Sequence, residues 1–236
     1  MTKHITLKTG GDPRTLPDYA ALRDELSKLT HPARPDVNWQ YVQRLCLSMF
    51  EQNGVELQTA AWYTLARTHQ SGLAGLNEGL AILEALISRQ WETLWPKTQH
   101  ARMEILSGLS QRLQQRMRML PFNSSHLSEL YRAEALLTSL SAVLQRLELK
   151  HLSQLDTLRT LIRSNAERLE SSNETSDLNV NMKPDSESPL EKAEPIEEVK
   201  WVYVVHQENQ PNGEDRTTAP VSVRQWKPFF AGMCST

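Results

Sequence analysis

The sequence predicts a mainly α fold: a multi-helix bundle of antiparallel helices, followed by a disordered acidic linker and a small β-rich C-terminal piece. Three observations carry that expectation. Apolar residues recur every three or four positions through residues 17–170, the repeat of a helix with one buried face. Proline and glycine at 32–35, 54, 72, 96 and 121 cut that stretch into helix-length pieces. The composition then changes sign: residues 1–170 hold 20 Lys and Arg against 17 Asp and Glu, and residues 171–236 hold 6 against 11.

Residues 1–16 read as a leader with a short extended piece at Ile5–Leu7. Pro17 suits the first turn of a helix, where its missing N–H costs nothing, and Tyr19, Leu22, Leu26 and Leu29 give that helix its stripe. Asp36 or Asn38 caps the second helix, whose apolar face is Trp39, Val42, Leu45, Cys46, Met49 and Phe50; Asn53-Gly54 ends it. A third helix is expected from Glu56 to Gln70 and a fourth from Leu73 to Trp95, with Ser71-Gly72 between them. The fourth carries the stripe Leu76, Leu80, Leu83 and Ile87. Gly75 and Gly79 lie on adjacent turns of it; each costs up to ~1 kcal/mol against Ala in a helix interior, so close approach of a neighbouring helix is the expected compensation. Trp91 and Trp95, four apart and closed off by Pro96, fall on one face of such a helix. They read as an aromatic plug at its end.

The fifth helix spans about Thr98 to Leu120, with Leu106, Leu109, Leu113, Met117 and Leu120 inward and Arg102, Arg112, Arg116 and Arg118 on its polar side. Pro121-Phe122-Asn123-Ser124 is a breaker followed by a cap. Ala133, Leu137, Leu140, Leu144 and Leu147 then step like a short coiled-coil seam, and Leu155, Leu158, Ile162 and Leu169 face it across a turn near Lys150–Ser153, an antiparallel hairpin. Residues 171–199 are too poor in large apolar side chains to offset their chain entropy and read as disordered. Residues 201–205 and 220–223 are β-rich on either side of the turn signal at Pro211-Asn212-Gly213, a hairpin that is marginal alone. Arg224, Trp226, Lys227, Phe229 and Phe230 follow the order of basic, aromatic and apolar residues at the cytoplasmic edge of a membrane helix.

The formal net charge of −2 gives no global attraction to nucleic acid. Two cysteines, Cys46 inside a helical pattern and Cys234 near the end, imply no disulfide framework and fit a reducing, cytoplasmic setting. No stretch reaches the ~20 apolar residues of a membrane span. No two of the seven histidines lie at i,i+4 spacing, none is near a Cys-x-x-Cys, and no phosphate-binding glycine loop or nucleophile elbow occurs. No cofactor, metal or enzymatic activity is expected. Glu51, Glu56, Glu78 and Glu84 read as a solvated face. Residues 89–118 hold six basic side chains against two acidic ones, a strip that without interleaved aromatics suits solvent or an acidic protein partner rather than nucleic acid. Trp62 and Trp91 read as core, each worth ~3–5 kcal/mol on truncation to Ala. Trp95, beside Pro96 at a helix end, is the better interface candidate, with Arg112, Arg116 and Arg118.

Several spaced elements agree with a known family. The run Val55-Glu56-Leu57-Gln58-Thr59-Ala60-Ala61-Trp62, then Gly72, Gly75, Leu76 and Gly79, then Trp91-Glu92-Thr93-Leu94-Trp95-Pro96 and Arg102, resembles the ImpA N-terminal domain of TssA-like type VI secretion proteins. The resemblance covers about residues 10–120; with the breaks and composition changes above, the chain divides into a leader (1–16), an ImpA N-terminal-like helical domain (17–120), a helical hairpin extending it (121–170), the linker (171–199) and a β-rich juxtamembrane segment (200–236). It implies a scaffold that engages the sheath and baseplate of the contractile tail and controls its assembly. Homo-oligomerisation is a second implied property. The C-terminal segment is closest to the VasL/TagA-type branch, which implies an inner-membrane anchor beyond residue 236 and a place at the cytoplasmic face of that membrane. A soluble, oligomeric tail-assembly chaperone is the alternative.

Overall fold

The computed structural model describes residues 8–33, 35–149 and 153–177. The readings made on Ile5–Leu7, on 178–199, on the β-rich runs and on Arg224, Trp226, Lys227, Phe229 and Phe230 lie outside them. Among the described residues there are six α-helices: α1 (Pro17–Ser27), α2 (Trp39–Gln52), α3 (Leu57–Gln90), α4 (Gln99–Met119), α5 (Leu127–Arg146) and α6 (Leu155–Asp177).

Helix α1 starts at its proline and buries Tyr19, Leu22 and Leu26 against α2. It stops at Ser27, so Leu29 falls in the following turn and is 37% exposed rather than part of the stripe. The two helices are also tied at their polar edge, where the Asp18 carboxylate accepts from the Ser48 hydroxyl at 2.6 Å and the Gln52 amide at 3.0 Å. Asn38, not Asp36, is the α2 cap: its Oδ1 accepts from the Tyr41 N–H at 3.0 Å. Past α2 the chain crosses Gly54 at φ +90°. The leader is pinned there, with Val55 N–H donating to Lys8 O at 2.6 Å and Gly10 N–H to Val55 O at 2.7 Å. A Cβ on Gly10 would lie 2.6 Å from Gly54 O, so only glycine allows this strap to lie flat.

Helix α3 is interrupted at Ser71-Gly72, where Gly72 takes φ +55° and ψ −130°, a conformation open essentially to glycine. The arms 57–70 and 73–90 fold back on each other. Their separation is set by glycine: a Cβ on Gly75 would lie 2.0 Å from the Arg67 carbonyl oxygen, and one on Gly79 2.5 Å from the Thr64 side chain. Arg67 pairs with Glu78 across the arms at 2.8 Å, and the Tyr63 hydroxyl donates to the same carboxylate at 2.5 Å. Leu76, Leu80, Leu83 and Ile87 are all fully or almost fully buried.

Helix α4 packs on α3 and α6, and α5 packs on both α3 and α6. Leu106, Leu109, Leu113 and Met117 of α4 are buried, while Leu120 lies just past the helix end and is half-buried. Asn123 caps a single 3-10 turn that leads into α5. Ala133, Leu137, Leu140 and Leu144 are buried along α5, and Leu155, Leu158, Ile162 and Ala166 along α6. These side chains belong to the same continuous core as Tyr19 of α1 and Leu106 of α4. Helix α6 continues to Asp177, beyond the boundary at 170 that composition suggested. Helix propagation costs little once a packed nucleus exists, and the Ser171 and Ser172 hydroxyls bond back to the carbonyls of Glu167 and Arg168. No helix among the described residues is long and apolar enough to cross a membrane.

Candidate functional site

The segment between α3 and α4 departs from its sequence reading. The helix ends at Gln90, with Trp91 as its cap residue, and 91–95 is a tight turn closed by Thr93 and Leu94 N–H groups on Gln90 O. Once the helix ends, a spacing of four no longer puts Trp91 and Trp95 on one face. The plug is Leu94, which is fully buried; Trp91 and Trp95 are each half-buried. The Trp95–Pro96 peptide is cis.

Arg102 holds this turn. It was expected on the polar side of its helix, but it is 4% exposed. Its guanidinium donates through Nε to Pro96 O at 2.6 Å, through Nη1 to Trp91 O at 2.6 Å and through Nη2 to Leu94 O at 2.5 Å. It also lies over the Trp91 ring, 4.6 Å from the centroid. A planar fork of donors suits this task, and the Trp91 carbonyl it meets lies at the negative end of the α3 dipole. Burial lowers the guanidinium pKa, with Glu92 acting the other way; an arginine stays charged regardless.

The start of α3 meets the same turn, through Leu57 N–H donating to Trp95 O at 3.1 Å. Glu56 caps that start. Its Oε2 accepts from Gln58 N–H at 2.7 Å, and its Oε1 accepts from Thr59 N–H at 2.6 Å and from the Thr59 hydroxyl. The residue is 0% exposed, not part of a solvated face. Burial raises its pKa to about 7 against the pull of those hydrogen bonds. The missed signal was local: no Ser, Thr, Asn or Asp stands at the cap position before Leu57, so the glutamate has to serve the orphan N–H groups.

Above this knot a groove of about 740 Å³ runs between the first arm of α3 and α4. Gln58, Ala61, Trp62 and Leu65 form one wall, Thr98, Ala101, Glu104, Ile105, Leu109 and Arg112 the other. Trp95, Pro96 and Lys97 close one end, where Arg14 lies 5.6 Å from the Trp95 ring. Trp62 leans on Tyr19 with ring centroids 5.5 Å apart, leaving part of its indole on the groove. Arg14 is spoken for by an exposed pair with Asp12. Neither Lys97 nor Arg112 pairs with a carboxylate among the described residues. The groove therefore has an apolar floor, with Arg14, Lys97, Arg112 and Glu104 among its lining side chains.

The structure thus brings Trp62, Trp95, Pro96 and Arg112 to one groove and places Gly72, Gly75, Leu76 and Gly79 in the α3 hairpin that supports its wall. Arg116 turns away, half-buried, with Nη2 donating to His69 O at 3.4 Å, and Arg118 is exposed beyond it. The expected basic strip is broken for that reason. His69 stacks on Trp39 at 3.8 Å, and burial, followed by the Arg116 charge, lowers its pKa to about 4. Among the described residues no group of three or more His, Cys, Asp or Glu is placed to hold a metal ion.

Residues 6–111 match the family model described as ImpA, N-terminal, type VI secretion system. The fold is similar to a solved N-terminal domain, including the conserved ImpA_N region, of the TssA component of the type VI secretion system from Burkholderia cenocepacia. The TM-score is 0.57 at 17% identity, over 70% of this chain and 88% of that one, a likeness of fold. No curated protein matches the sequence. The resemblance to the ImpA N-terminal domain therefore holds for a defined segment, residues 6–111, and the structural likeness is one of fold.

Proposed function

We infer, from the premise that residues 6–111 form an ImpA N-terminal-type domain, that this chain is a non-catalytic part of a type VI secretion system that binds the contractile tail and controls its assembly. The groove carries this reading: Trp62 and Trp95 of the matched segment, both half-buried, line it together with Arg112 just past that segment, and tryptophan and arginine are the side chains enriched at binding hot spots. The sheath and the baseplate are the partners it would meet. The full chain used as bait against sheath and baseplate subunits tests it. Capture that falls on Trp95→Ser together with Arg112→Glu, with the melting temperature kept, supports the reading; capture no stronger than that of an unrelated helical bundle refutes it. Stopping or holding the distal sheath end at the inner membrane belongs to the same reading and rests on Arg224, Trp226, Lys227, Phe229 and Phe230. Co-sedimentation with anionic vesicles, weakened by Arg224→Glu and Lys227→Glu, checks that half.

A further inference from the structure

The leader strap is anchored one residue away from a buried acid. Val55 carries both backbone bonds of the strap, donating to Lys8 O at 2.6 Å and accepting from Gly10 N–H at 2.7 Å. A third bond runs from the Asn53 side-chain amide to Gly11 O at 3.1 Å. Glu56 follows Val55 directly and is fully buried. The donors that meet its carboxylate are all neutral: the Gln58 and Thr59 N–H groups and the Thr59 hydroxyl. No cation pairs with it among the described residues. A buried carboxylate without a cation has to stay protonated or reach water. The Thr59 hydroxyl oxygen is within reach to accept such a proton.

The surrounding charges act in the same sense. Asp12 of the strap faces Glu56 as a like charge, and its hydrogen bond from the Arg14 side chain keeps it ionised. Tyr19 of α1 and Cys46 of α2 also feel Glu56; burial raises both, so both stay neutral. Arg102, at the turn that meets Leu57, spends its donors on three carbonyls. Within this set Glu56 is the group that changes charge near neutral pH. Water reaches it at least cost by way of the strap. Lys8, Gly11, Asp12, Arg14 and Thr15 are exposed, whereas α1, α2 and α3 share the continuous core.

We propose that the strap, residues 8–16, is a proton-operated latch: it stays closed beside Glu56 while that carboxyl is protonated and lifts when the carboxyl ionises. The strap carries Arg14, which lies against the Trp95 ring at the groove end, so lifting it changes that end of the groove. The latch does not depend on what the groove binds.

The test is amide hydrogen exchange of the full chain, followed by NMR at Val55 and Gly10 between about pH 5 and 8 and corrected for the intrinsic pH dependence of exchange. Closed, Glu56 has a pKa of about 7; open, it returns to the ordinary 4.5. Closure is therefore complete below the ordinary value and is lost as pH rises. The opening constant should climb by up to about tenfold per pH unit and level off above pH 7. Lifting the strap uncovers little surface, so about 1 M urea should leave these two amides unchanged while it speeds exchange at Leu80 in the core. Glu56→Gln should flatten the pH profile. Asp12→Asn, an exposed change that leaves the α3 cap intact, should bring the plateau to lower pH. Exchange of Val55 and Gly10 at the rate and urea dependence of Leu80 would mean that the strap opens only with the whole fold, and would overturn the proposal. So would a flat profile in the parent, or a profile unchanged in either variant.

Discussion

Replacing Arg102 by Met tests the claim that one buried guanidinium holds the turn between α3 and α4. Methionine keeps most of the apolar stem and removes all the donors. Three carbonyl oxygens lose their partner: those of Trp91, Leu94 and Pro96. The first and last belong to half-buried residues and can take water, so each loses only the net worth of its bond, about 1 kcal/mol. Leu94 is fully buried, and a carbonyl stranded there costs about 1–3 kcal/mol. The sum is about 3–5 kcal/mol, which at 2–4 °C per kcal/mol lowers the melting temperature by roughly 10 °C. Arg102→Lys keeps the charge but not the planar fork, so it should fall between the two. Thermal unfolding followed by far-ultraviolet circular dichroism reads the stability, and tryptophan fluorescence reads the turn through Trp91 and Trp95. A loss under about 0.5 kcal/mol for Arg102→Met, the range of an ordinary surface substitution, or a lysine variant equal to the parent, would refute the reasoning.

Glu56 makes the fold respond to pH in an unusual direction. Its folded pKa of about 7 lies above the ordinary glutamate value, so between about pH 4.5 and 7 the folded state binds more protons and stability falls as pH rises. His69, held down at about 4, works the other way between about pH 4 and 6.5. Melting curves across pH 4.5–7.5 should therefore differ between the parent and Glu56→Gln, with the variant lacking the decline toward neutral pH; parallel profiles would count against a buried carboxylate. Gly75→Ala places a Cβ 2.0 Å from the Arg67 carbonyl and should cost about 3 kcal/mol or more by forcing the α3 arms apart, measured by urea denaturation. Gly108→Ala meets nothing closer than the flexible Arg112 end at 3.5 Å and should instead stabilise α4 by about 0.5–1 kcal/mol. If the two alanine variants behave alike, the close approach of the α3 arms is not what glycine serves there.

Most of the helical architecture was legible because a helix packed on one side must repeat every 3.6 residues. The stripes of α1, α2, α4, α5 and α6 follow that repeat, with end errors of a turn or less at Leu29 and Leu120 and of about two turns at Asp177. The α3 hairpin was also legible, since Gly72 marks a conformation other residues avoid and Gly75 and Gly79 mark a close approach. The site was less so. Trp91 and Trp95 were placed by helical spacing, which fails one residue past Gln90. Charge is usually solvated, which is why Glu56 and Arg102 read as facing water, and nothing in a one-dimensional pattern shows that the starts of α3 and α4 converge on the same turn.

By itself, then, the sequence determined the helices, their breaks and the family signature, since these depend on local dihedral preferences and on one-sided burial. The tertiary structure alone decided that Leu94 is the plug, that Arg102 and Glu56 are buried, and that Trp62 and Trp95 share a groove with Arg112. Those outcomes depend on which backbone groups are left unpaired when α3 and α4 meet, and a buried carbonyl or N–H must find a partner wherever the fold happens to bring one.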